Sequence, residues 1–352
     1  MSFFSEKANS ILPYVPGEQP KDGEYMKLNT NENPYSPSSK AIEKIKKINF
    51  DKLKLYPDPD CTELKETYAR ILEVKPYNIF VGNGSDEVLA TAFQTFYMEK
   101  ENVLMPDVSY SFYPVYSDLY NIKVKQIPIK ENFTIDIKDY MIENNGIVIA
   151  NPNAPTSLSI SKKDIEMLLQ NNRNSVVLID EAYVDFGGES VVDLIKKYNN
   201  LLVVKTLSKS YSLAGLRVGF AIGNEELING MNRIKNSFNS YPIDMIAQII
   251  AKEAIIDIKY FNSNLNKVVK TRKWVIYQLR KLGFNVLDSK TNFVFIIHNK
   301  KSAKEIFDKL KENKILVRYF NKEKINNGLR VTIGTDEEMR KFIEVIKKIV
   351  KE

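Results

Sequence analysis

The stretch LLVVKTLSKSYSLAGLRVGF, residues 201–220, gives the clearest indication of the fold of this chain. It opens on four apolar residues, 201–204, which predict a strand buried on both faces of a sheet. A turn-rich segment that contains Lys209 follows, and residues 217–222 predict a further strand. Because burying a charged amine is costly, a lysine between two buried strands suggests a chemical role.

Outward from this stretch, short apolar runs alternate with segments of helical periodicity. The alternation predicts an α/β fold, with a large domain whose mostly parallel sheet is flanked by helices. The predicted strands of this domain are residues 79–81, 102–105, 147–150, 176–179, 201–204 and 217–222, and the predicted helices are residues 38–49, 61–73, 85–98, 110–119 and 162–170.

Beyond a long helical pattern at residues 244–282 the sequence predicts a smaller α+β domain. Its predicted strands are 293–297, 315–317 and 329–333, and its predicted helices are 302–312 and 336–350. We divide the chain into an N-terminal arm, a large domain and a small C-terminal domain, with prolines breaking any helix in the arm. The predicted bounds are residues 1–37, 38–250 and 251–352.

The composition narrows the classes of function. The formal net charge is +7, but the lysines are spread beside glutamates, which favours anionic substrates over nucleic acid as partners. No stretch is apolar for long enough to predict a membrane span, and the first residues lack the pattern of a secretory signal. The single cysteine, Cys61, allows no intramolecular disulfide, which is typical of a cytoplasmic protein.

One acidic and one basic residue stand at the predicted carboxyl edge of the sheet, where open α/β sheets bind ligands. Asp180 follows a predicted strand, and such an acid binds a metal or a protonated ring nitrogen, or only caps the next helix. Lys209 follows the next strand, where an amine can form an imine with an aldehyde. Ser208 and Arg217 beside it are suited to hold the phosphate of a phosphorylated aldehyde.

A glycine turn precedes the helix predicted from Ser85. The sequence Gly82-Asn-Gly-Ser-Asp-Glu87 leaves the amides of Ser85 and Asp86 free to bind an anion at the start of that helix. Ser85 is equally explained as an ordinary helix cap. The spacing of the glycines in this motif matches neither the P-loop nor the dinucleotide-binding fingerprint.

Together these motifs resemble one family. In chain order they are Leu28-Asn-Thr-Asn-Glu-Asn-Pro34, Tyr56-Pro-Asp58, Gly82-Asn-Gly-Ser-Asp-Glu87, Asn151-Pro-Asn-Ala-Pro-Thr156, Asp180-Glu-Ala-Tyr183, Thr206-Leu-Ser-Lys-Ser-Tyr-Ser-Leu-Ala-Gly-Leu-Arg217 and Leu329-Arg-Val-Thr-Ile-Gly-Thr335. The series is similar to that of the histidinol-phosphate aminotransferases, a branch of the fold-type-I pyridoxal-phosphate enzymes. The likeness runs over nearly the whole chain.

The resemblance implies pyridoxal 5′-phosphate as cofactor and a role for each matching residue. Lys209 would bond to the cofactor aldehyde and move the substrate proton, and Asp180 would keep the ring nitrogen protonated. Tyr183 would hold the 3′-oxygen, and Tyr110 would stack on the ring. The implied phosphate ligands are Thr206, Ser208, Arg217 and the backbone amides of Ser85 and Asp86, together with Tyr56 reaching in from the second subunit of a homodimer.

For the substrates, the resemblance implies two arginines and two asparagines. Arg330 would bind the α-carboxylate of the amino donor and Arg318 the substrate phosphate. Asn31 and Asn292 would line the pocket. No metal is implied.

This chain departs from the family pattern at two positions. Ala154 stands where an asparagine usually contacts the 3′-oxygen, and Asn153 is our candidate to replace it. Ser157 stands where glycine is usual.

The predicted reaction is transamination of histidinol phosphate with 2-oxoglutarate, in histidine biosynthesis. The alternatives are an aromatic-amino-acid aminotransferase or a phosphothreonine decarboxylase of the same fold, which differ in the substrate pocket. A pyridoxal-phosphate-binding regulator without turnover is a third alternative, although the sequence shows no separate helix-turn-helix segment.

Overall fold

The computed structural model describes residues 3–20 and 24–351. The strands within these ranges are β1 (Met26–Lys27), β2 (Ile79–Asn83), β3 (Val103–Pro106), β4 (Val124–Ile127), β5 (Gly146–Ala150), β6 (Val177–Asp180), β7 (Leu201–Thr206), β8 (Val218–Gly223), β9 (Phe284–Val286), β10 (Phe293–His298), β11 (Ile315–Leu316), β12 (Arg318–Tyr319) and β13 (Gly328–Thr332).

The helices alternate with these strands through most of the chain. They are α1 (Glu6–Ser10), α2 (Ser39–Ile45), α3 (Thr62–Leu72), α4 (Gly84–Phe96), α5 (Tyr113–Leu119), α6 (Lys162–Asn171), α7 (Glu225–Phe238), α8 (Met245–Ile256), α9 (Ile258–Lys281), α10 (Ala303–Glu312) and α11 (Asp336–Lys351). None of the helices in the described parts of the chain combines the length and apolarity that a bilayer span requires.

A seven-stranded sheet forms the large domain and confirms the predicted α/β class. Its strand order is β2-β8-β7-β6-β5-β3-β4, and every pairing is parallel except those of β8. Successive residues of β7 pack on opposite faces, with Val203 in one apolar cluster and Val204 in the other. Burial on both faces explains why this strand is a continuous apolar run in the sequence.

The antiparallel strand β8 brings an arginine to the carboxyl edge of its neighbours. Thr206 at the end of β7 pairs with Gly219 near the start of β8. Arg217, just before β8, therefore lies at the edge where the parallel strands end. Asp180, at the end of β6, and Lys209, after the end of β7, lie at the same edge.

The small domain contains a four-stranded antiparallel sheet of order β12-β13-β10-β9. Helices α9, α10 and α11 contribute Val275, Leu310 and Phe342 to its apolar cluster. These elements agree with the predicted α+β texture. Strand β9, which is only three residues long, was not predicted.

The N-terminal arm is more structured than we predicted. It contains the short helix α1, and strand β1 pairs in parallel with β11 near the small domain. The amide of Leu28 then donates to the carbonyl of Leu316, and the carbonyl of Leu28 accepts from the amide of Thr332. These bonds fix the polar residues that follow Leu28 beside β13.

The long helical pattern at 244–282 is two helices, because the chain turns at Asp257 between α8 and α9. Asp257 accepts a hydrogen bond of 2.6 Å from the Ser38 hydroxyl. Ile255 packs in the large-domain core and Leu265 in the small-domain core. A domain boundary at 250/251 would fall within α8, and our division of the chain stays a prediction.

Candidate active site

A cavity of about 220 Å³ lies at the carboxyl edge of the large sheet, between that edge, the N-terminal arm and the small domain. Eleven of the fifteen residues predicted for the site line it. They are Asn31, Ser85, Asp86, Tyr110, Asp180, Tyr183, Ser208, Lys209, Arg217, Arg318 and Arg330. The other four predicted residues, Tyr56, Asn153, Thr206 and Asn292, do not belong to its wall.

Asp180 is a buried carboxylate at the end of β6. Its Oδ2 accepts a hydrogen bond of 2.8 Å from the Tyr113 hydroxyl, and its Oδ1 accepts one of 3.0 Å from the Ala182 amide. Burial raises the pKa of Asp180 to about 6. Within the described residues no cationic side chain forms an ion pair with this carboxylate, so it is free to pair with a protonated nitrogen of a ligand.

Lys209 lies on the loop after β7, with its amine at the same cavity. Its Nζ donates a hydrogen bond of 3.3 Å to the Thr30 carbonyl and lies 5.8 Å from the centroid of the Tyr183 ring. The Asn33 amide group holds the loop by donating to the carbonyl of Lys209 at 2.9 Å. In the described part of the chain, no carboxylate forms an ion pair with this amine, which leaves it available as a nucleophile.

An anion-binding cradle forms where α4 begins. The helix starts at Gly84, and Ser85 and Asp86 are in its first turn, where backbone amides have no helical partner. Ser208 and Arg217 face the same end of the cavity. Arg217 Nη2 is 2.8 Å from Asp86 Oδ2, so one acid partly offsets the positive charge of the cradle.

Close backbone approach explains the glycines at this cradle. A Cβ on Gly219 would come within 2.5 Å of the Ser85 nitrogen, and a Cβ on Gly84 would collide with the Arg217 guanidinium. Gly84 also has a φ of +78°, which L-residues rarely adopt. The glycine turn therefore brings the start of α4 against β8 and keeps the space for a ligand open.

Tyr110 forms one aromatic wall of the cavity. Its hydroxyl donates to Asp86 Oδ1 at 3.1 Å, and its ring meets the Tyr113 ring edge-on with centroids 5.5 Å apart. Burial keeps the pKa of Tyr110 far above its ordinary value, so the side chain stays a neutral phenol. A neutral aromatic face of this kind can stack on a planar ring.

Tyr183, from the segment after β6, lies beside β10 and the N-terminal arm. Its ring is perpendicular to that of Phe293, with centroids 5.0 Å apart, and its hydroxyl accepts a hydrogen bond of 3.0 Å from Asn31 Nδ2. Asn292 lies behind Asn31 and not in the wall, because its Nδ2 donates to the Asn31 carbonyl at 3.0 Å. Asn292 is therefore placed to support the pocket rather than to line it.

Two arginines of the small domain face each other across neighbouring strands. Arg318 of β12 and Arg330 of β13 occupy partner positions in the antiparallel register. Arg330 Nη2 donates to the Asn29 carbonyl at 2.7 Å, and Arg318 Nη2 donates to the Val15 carbonyl at 3.4 Å. Burial lowers the pKa of Arg330. Neither arginine has a carboxylate ion-pair partner among the described residues, so both are available to anions.

Asn153 does not take the place of the missing asparagine at the cavity wall. Its Nδ2 donates to the Val108 carbonyl at 3.0 Å and to the Thr156 hydroxyl at 3.2 Å. Its Oδ1 accepts from the Ser109 hydroxyl at 2.8 Å. Ala154 is the residue that lines the cavity instead. The contact predicted for Asn153 with the 3′-oxygen therefore does not follow from this geometry.

Thr206 and Tyr56 lie outside the wall for different reasons. Thr206 is buried, and its Oγ1 donates to the Ser208 hydroxyl at 3.0 Å while it accepts from the Ser208 amide at 3.1 Å. It thus holds a cradle residue. Tyr56 is 81% exposed and stacks on Tyr241, with ring centroids 4.7 Å apart. Its predicted reach into a second subunit stays a prediction.

Four functional candidates were missed from the sequence. Tyr14 of the arm lines the cavity and stacks on Phe112, with centroids 4.6 Å apart. Thr30 and Glu32 also line it, and Tyr113 binds Asp180. Thr30 and Glu32 belong to the motif at residues 28–34, which was a signal. For Tyr14 and Tyr113 the only signal in the sequence was that each is an aromatic residue next to a proline.

The cavity fits a phosphorylated pyridine aldehyde. The buried carboxylate of Asp180 offers a partner for a protonated ring nitrogen, and Lys209 offers an amine for the aldehyde. The cradle at Ser85 and Arg217 would not hold an anion if the glycines beside it carried side chains. The three features surround one space, so the donor set agrees with the chemistry of one ligand.

Known proteins are similar to this chain in sequence and in fold. The model of the family described as aminotransferase class I and II matches residues 23–346 of the chain. The histidinol-phosphate aminotransferase of Clostridium botulinum strain Okra is 54% identical over 348 residues, 99% of this chain and 98% of that protein. The histidinol-phosphate aminotransferase of Brachyspira hyodysenteriae is 53% identical over 351 residues, 99% of each chain.

Solved structures agree at the level of the fold. The crystal structure of a histidinol-phosphate aminotransferase from Sinorhizobium meliloti in complex with pyridoxal-5′-phosphate superposes with a TM-score of 0.90. The match covers 100% of this chain and 98% of the other, at 21% identity. At that identity the likeness shows the fold alone.

Proposed function

The chain belongs to the class I and II aminotransferase family, and from this premise we propose that it transfers an amino group between histidinol phosphate and 2-oxoglutarate. The single observation that carries the proposal is the meeting of Lys209 and Asp180 at one cavity, in a chain 54% identical to a histidinol-phosphate aminotransferase. The reaction belongs to histidine biosynthesis, and its products are imidazole-acetol phosphate and glutamate.

Pyridoxal phosphate, the cofactor of this family, supplies when bound an aldehyde that reacts with amines and a ring that accepts electrons from the substrate carbon. Asp180 would pair with the protonated ring nitrogen. The attraction between the two charges would offset the cost of burying the ionised carboxylate. Ser208, Arg217 and the backbone amides of Ser85 and Asp86 would hold the phosphate, with Thr206 keeping Ser208 in place.

Lys209 would act as the general acid and base of the reaction. Its Nζ would take the proton from the substrate Cα and, once protonated, would serve as the acid that gives it back. The Asn33 bond to the Lys209 carbonyl fixes the loop, while the Lys209 side chain makes a single hydrogen bond among the described residues, to Thr30. A fixed backbone with a lightly held amine suits a group that moves a proton between two atoms.

Arg318 and Arg330 would recognise the anionic groups of the two substrates. We propose that Arg330 binds the α-carboxylate of glutamate and that Arg318 binds the phosphate of histidinol phosphate. Phe320 lies against both guanidinium groups, 5.7 Å from Arg318 Cζ and 5.6 Å from Arg330 Cζ, which limits their motion. Tyr14, beside them in the cavity wall, is a candidate to contact the imidazole ring.

We propose a homodimer in which Tyr56 reaches the cofactor phosphate of the second subunit. Its ring stacks on the partly exposed Tyr241, and the segment just before it exposes Phe50, Leu53 and Leu55 as well. A patch of this kind on a folded chain favours association.

The cytoplasmic location inferred from the sequence also stays a proposal. Cys61 is buried, which raises its thiol pKa to about 11 and protects it from oxidation.

The experiment that tests the function is a donor screen with the purified protein and pyridoxal phosphate. Histidinol phosphate with 2-oxoglutarate should yield glutamate faster than phenylalanine or phosphothreonine does, and Lys209→Ala should yield none. Faster turnover of phenylalanine, or release of carbon dioxide from phosphothreonine, would favour one of the two alternative enzymes. A bound chromophore that no amino acid changes would favour the non-catalytic regulator.

A further inference from the structure

Asn31 is the one side chain among the described residues that hydrogen-bonds the Tyr183 hydroxyl. Its Nδ2 lies 3.0 Å from the phenolic oxygen, and both residues line the cavity. An amide nitrogen can only donate, so the bond uses a lone pair of the Tyr183 oxygen and leaves the phenolic proton free. That proton can therefore be donated into the cavity.

The orientation of the Asn31 amide is fixed by Thr332 of β13. The Asn31 backbone amide donates to Thr332 Oγ1 at 3.0 Å, so the Thr332 hydroxyl proton is directed at Asn31 Oδ1, also 3.0 Å away. With Oδ1 accepting this bond, Nδ2 must face Tyr183. The Asn31 carbonyl accepts from Asn292 in addition.

The backbone of Asn31 supports a specific role. Its φ of 57° is unusual for a residue with a side chain, and asparagine tolerates it better than most. Asn31 is also 1% exposed, so its polar groups must find partners within the protein. Ala154 and Asn153 supply no such amide, because Ala154 lines the cavity with a methyl group and Asn153 is bonded elsewhere.

We propose that Asn31 is a positioning residue that directs the Tyr183 hydroxyl proton toward the 3′-oxygen of the cofactor. The proposal rests on the proposed function, since it assumes that pyridoxal phosphate occupies the cavity. It assigns Asn31 to the cofactor side of the site rather than to the substrate. A donor held on the phenolic oxygen also strengthens the bond that the phenol itself donates.

The test is the absorbance of the bound cofactor as a function of pH. When Lys209 is bonded to the cofactor aldehyde, its protonated nitrogen and the Tyr183 hydroxyl would compete for the 3′-oxygen. The hydrogen bond from Tyr183 would therefore lower the pH at which the Lys209 nitrogen loses its proton. Asn31→Ala should raise the midpoint of this spectral change by about half a unit to one unit. Tyr183→Phe should raise it further, and the double variant should match Tyr183→Phe alone.

Two further variants separate positioning from general destabilisation. Thr332→Val keeps Asn31 but removes its anchor, and it should shift the midpoint in the same direction by less. Asn172→Ala removes another buried asparagine, one that donates to the Leu168 carbonyl far from the cavity. It should lower the Tm without moving the midpoint.

An equal shift from Asn31→Ala with and without the Tyr183 hydroxyl would overturn the proposal, as would a lowered Tm with no shift at all. If Asn31→Ala does not fold, the midpoint shift of Thr332→Val is compared in the wild-type protein and in Tyr183→Phe. An equal shift in both would again overturn the proposal. Failure of the wild-type protein to bind pyridoxal phosphate would instead remove the proposed function.

Discussion

The Tyr113 hydroxyl donates a hydrogen bond of 2.8 Å to Asp180 Oδ2, and both residues are buried. This bond joins the first turn of α5 to the end of β6. It favours the ionised form of a carboxylate whose pKa burial has raised to about 6. The charge that a protonated ring nitrogen requires is thus maintained from behind the cavity, by a residue that does not line it.

Tyr113→Phe should therefore weaken cofactor binding. Loss of one hydrogen bond to a charged group costs about 1.5–3 kcal/mol, so the Kd of the cofactor-free protein for pyridoxal phosphate at pH 7 should rise by roughly 10- to 150-fold. The pKa of Asp180 should rise further, which NMR of labelled aspartate can follow. Tyr140→Phe is a matched control, because Tyr140 is also buried but its hydroxyl has no hydrogen-bond partner in the structure. An unchanged Kd for Tyr113→Phe would contradict the role of this bond.

Asp180→Asn should stabilise the cofactor-free protein at neutral pH while removing most of the activity. The folded-state pKa of about 6 lies above the ordinary 3.8, so the buried charge costs about 3 kcal/mol above pH 6. That cost fades as pH falls through 6 and is gone below 3.8. The Tm gain of the variant should accordingly be largest near pH 8 and vanish near pH 4. Asp193→Asn, at an exposed acid paired with Lys162, is the control. A Tm gain independent of pH would exclude this explanation.

The sequence predicted the centre of the large sheet because β5, β6 and β7 are buried on both faces and therefore appear as apolar runs. It missed β4, in which Val124 and Ile127 flank Lys125 and Gln126. This strand lies at the sheet edge, where one side faces solvent and polar residues are tolerated. The apolar signal is weak at such an edge.

The site could be predicted where the fold itself brings residues to the sheet edge, as for Asp180 and Lys209. The candidate role of Asn153 could not be decided from the sequence, because which of two adjacent side chains faces a cavity depends on the turn that holds them. Tyr113 was missed because its role arises only when α5 packs against β6. Long-range contacts of this kind leave no periodicity in the sequence.

Arg318→Ala should raise the KM for histidinol phosphate more than the KM for glutamate. The expected difference is about 10- to 100-fold, which corresponds to loss of a charge-assisted bond to phosphate. Arg280→Ala, at a half-exposed arginine paired with Asp288 on the small domain, should change neither KM. If Arg318→Ala raised both KM values equally, Arg318 would instead attract anions without distinguishing the two substrates.

A mixture of two inactive variants tests the reach of Tyr56. If Tyr56 completes the site of the partner, a hybrid of a Tyr56→Ala chain and a Lys209→Ala chain contains one intact site. Co-refolding equal amounts should restore roughly a quarter of the wild-type activity, given random pairing of a two-fold dimer. If Tyr56 served only its own chain, the hybrid would contain no intact site and activity would stay at the background.

Reduction of the holoenzyme with borohydride, followed by peptide mass mapping, tests most directly that the Lys209 amine bonds to the cofactor. The mass of a reduced pyridoxyl phosphate group should appear on the peptide that contains Lys209. It should be absent from Lys209→Ala, while Lys205→Arg, at the buried lysine paired with Glu181, should retain it. A tag on another lysine, or turnover by Lys209→Ala, would contradict the account.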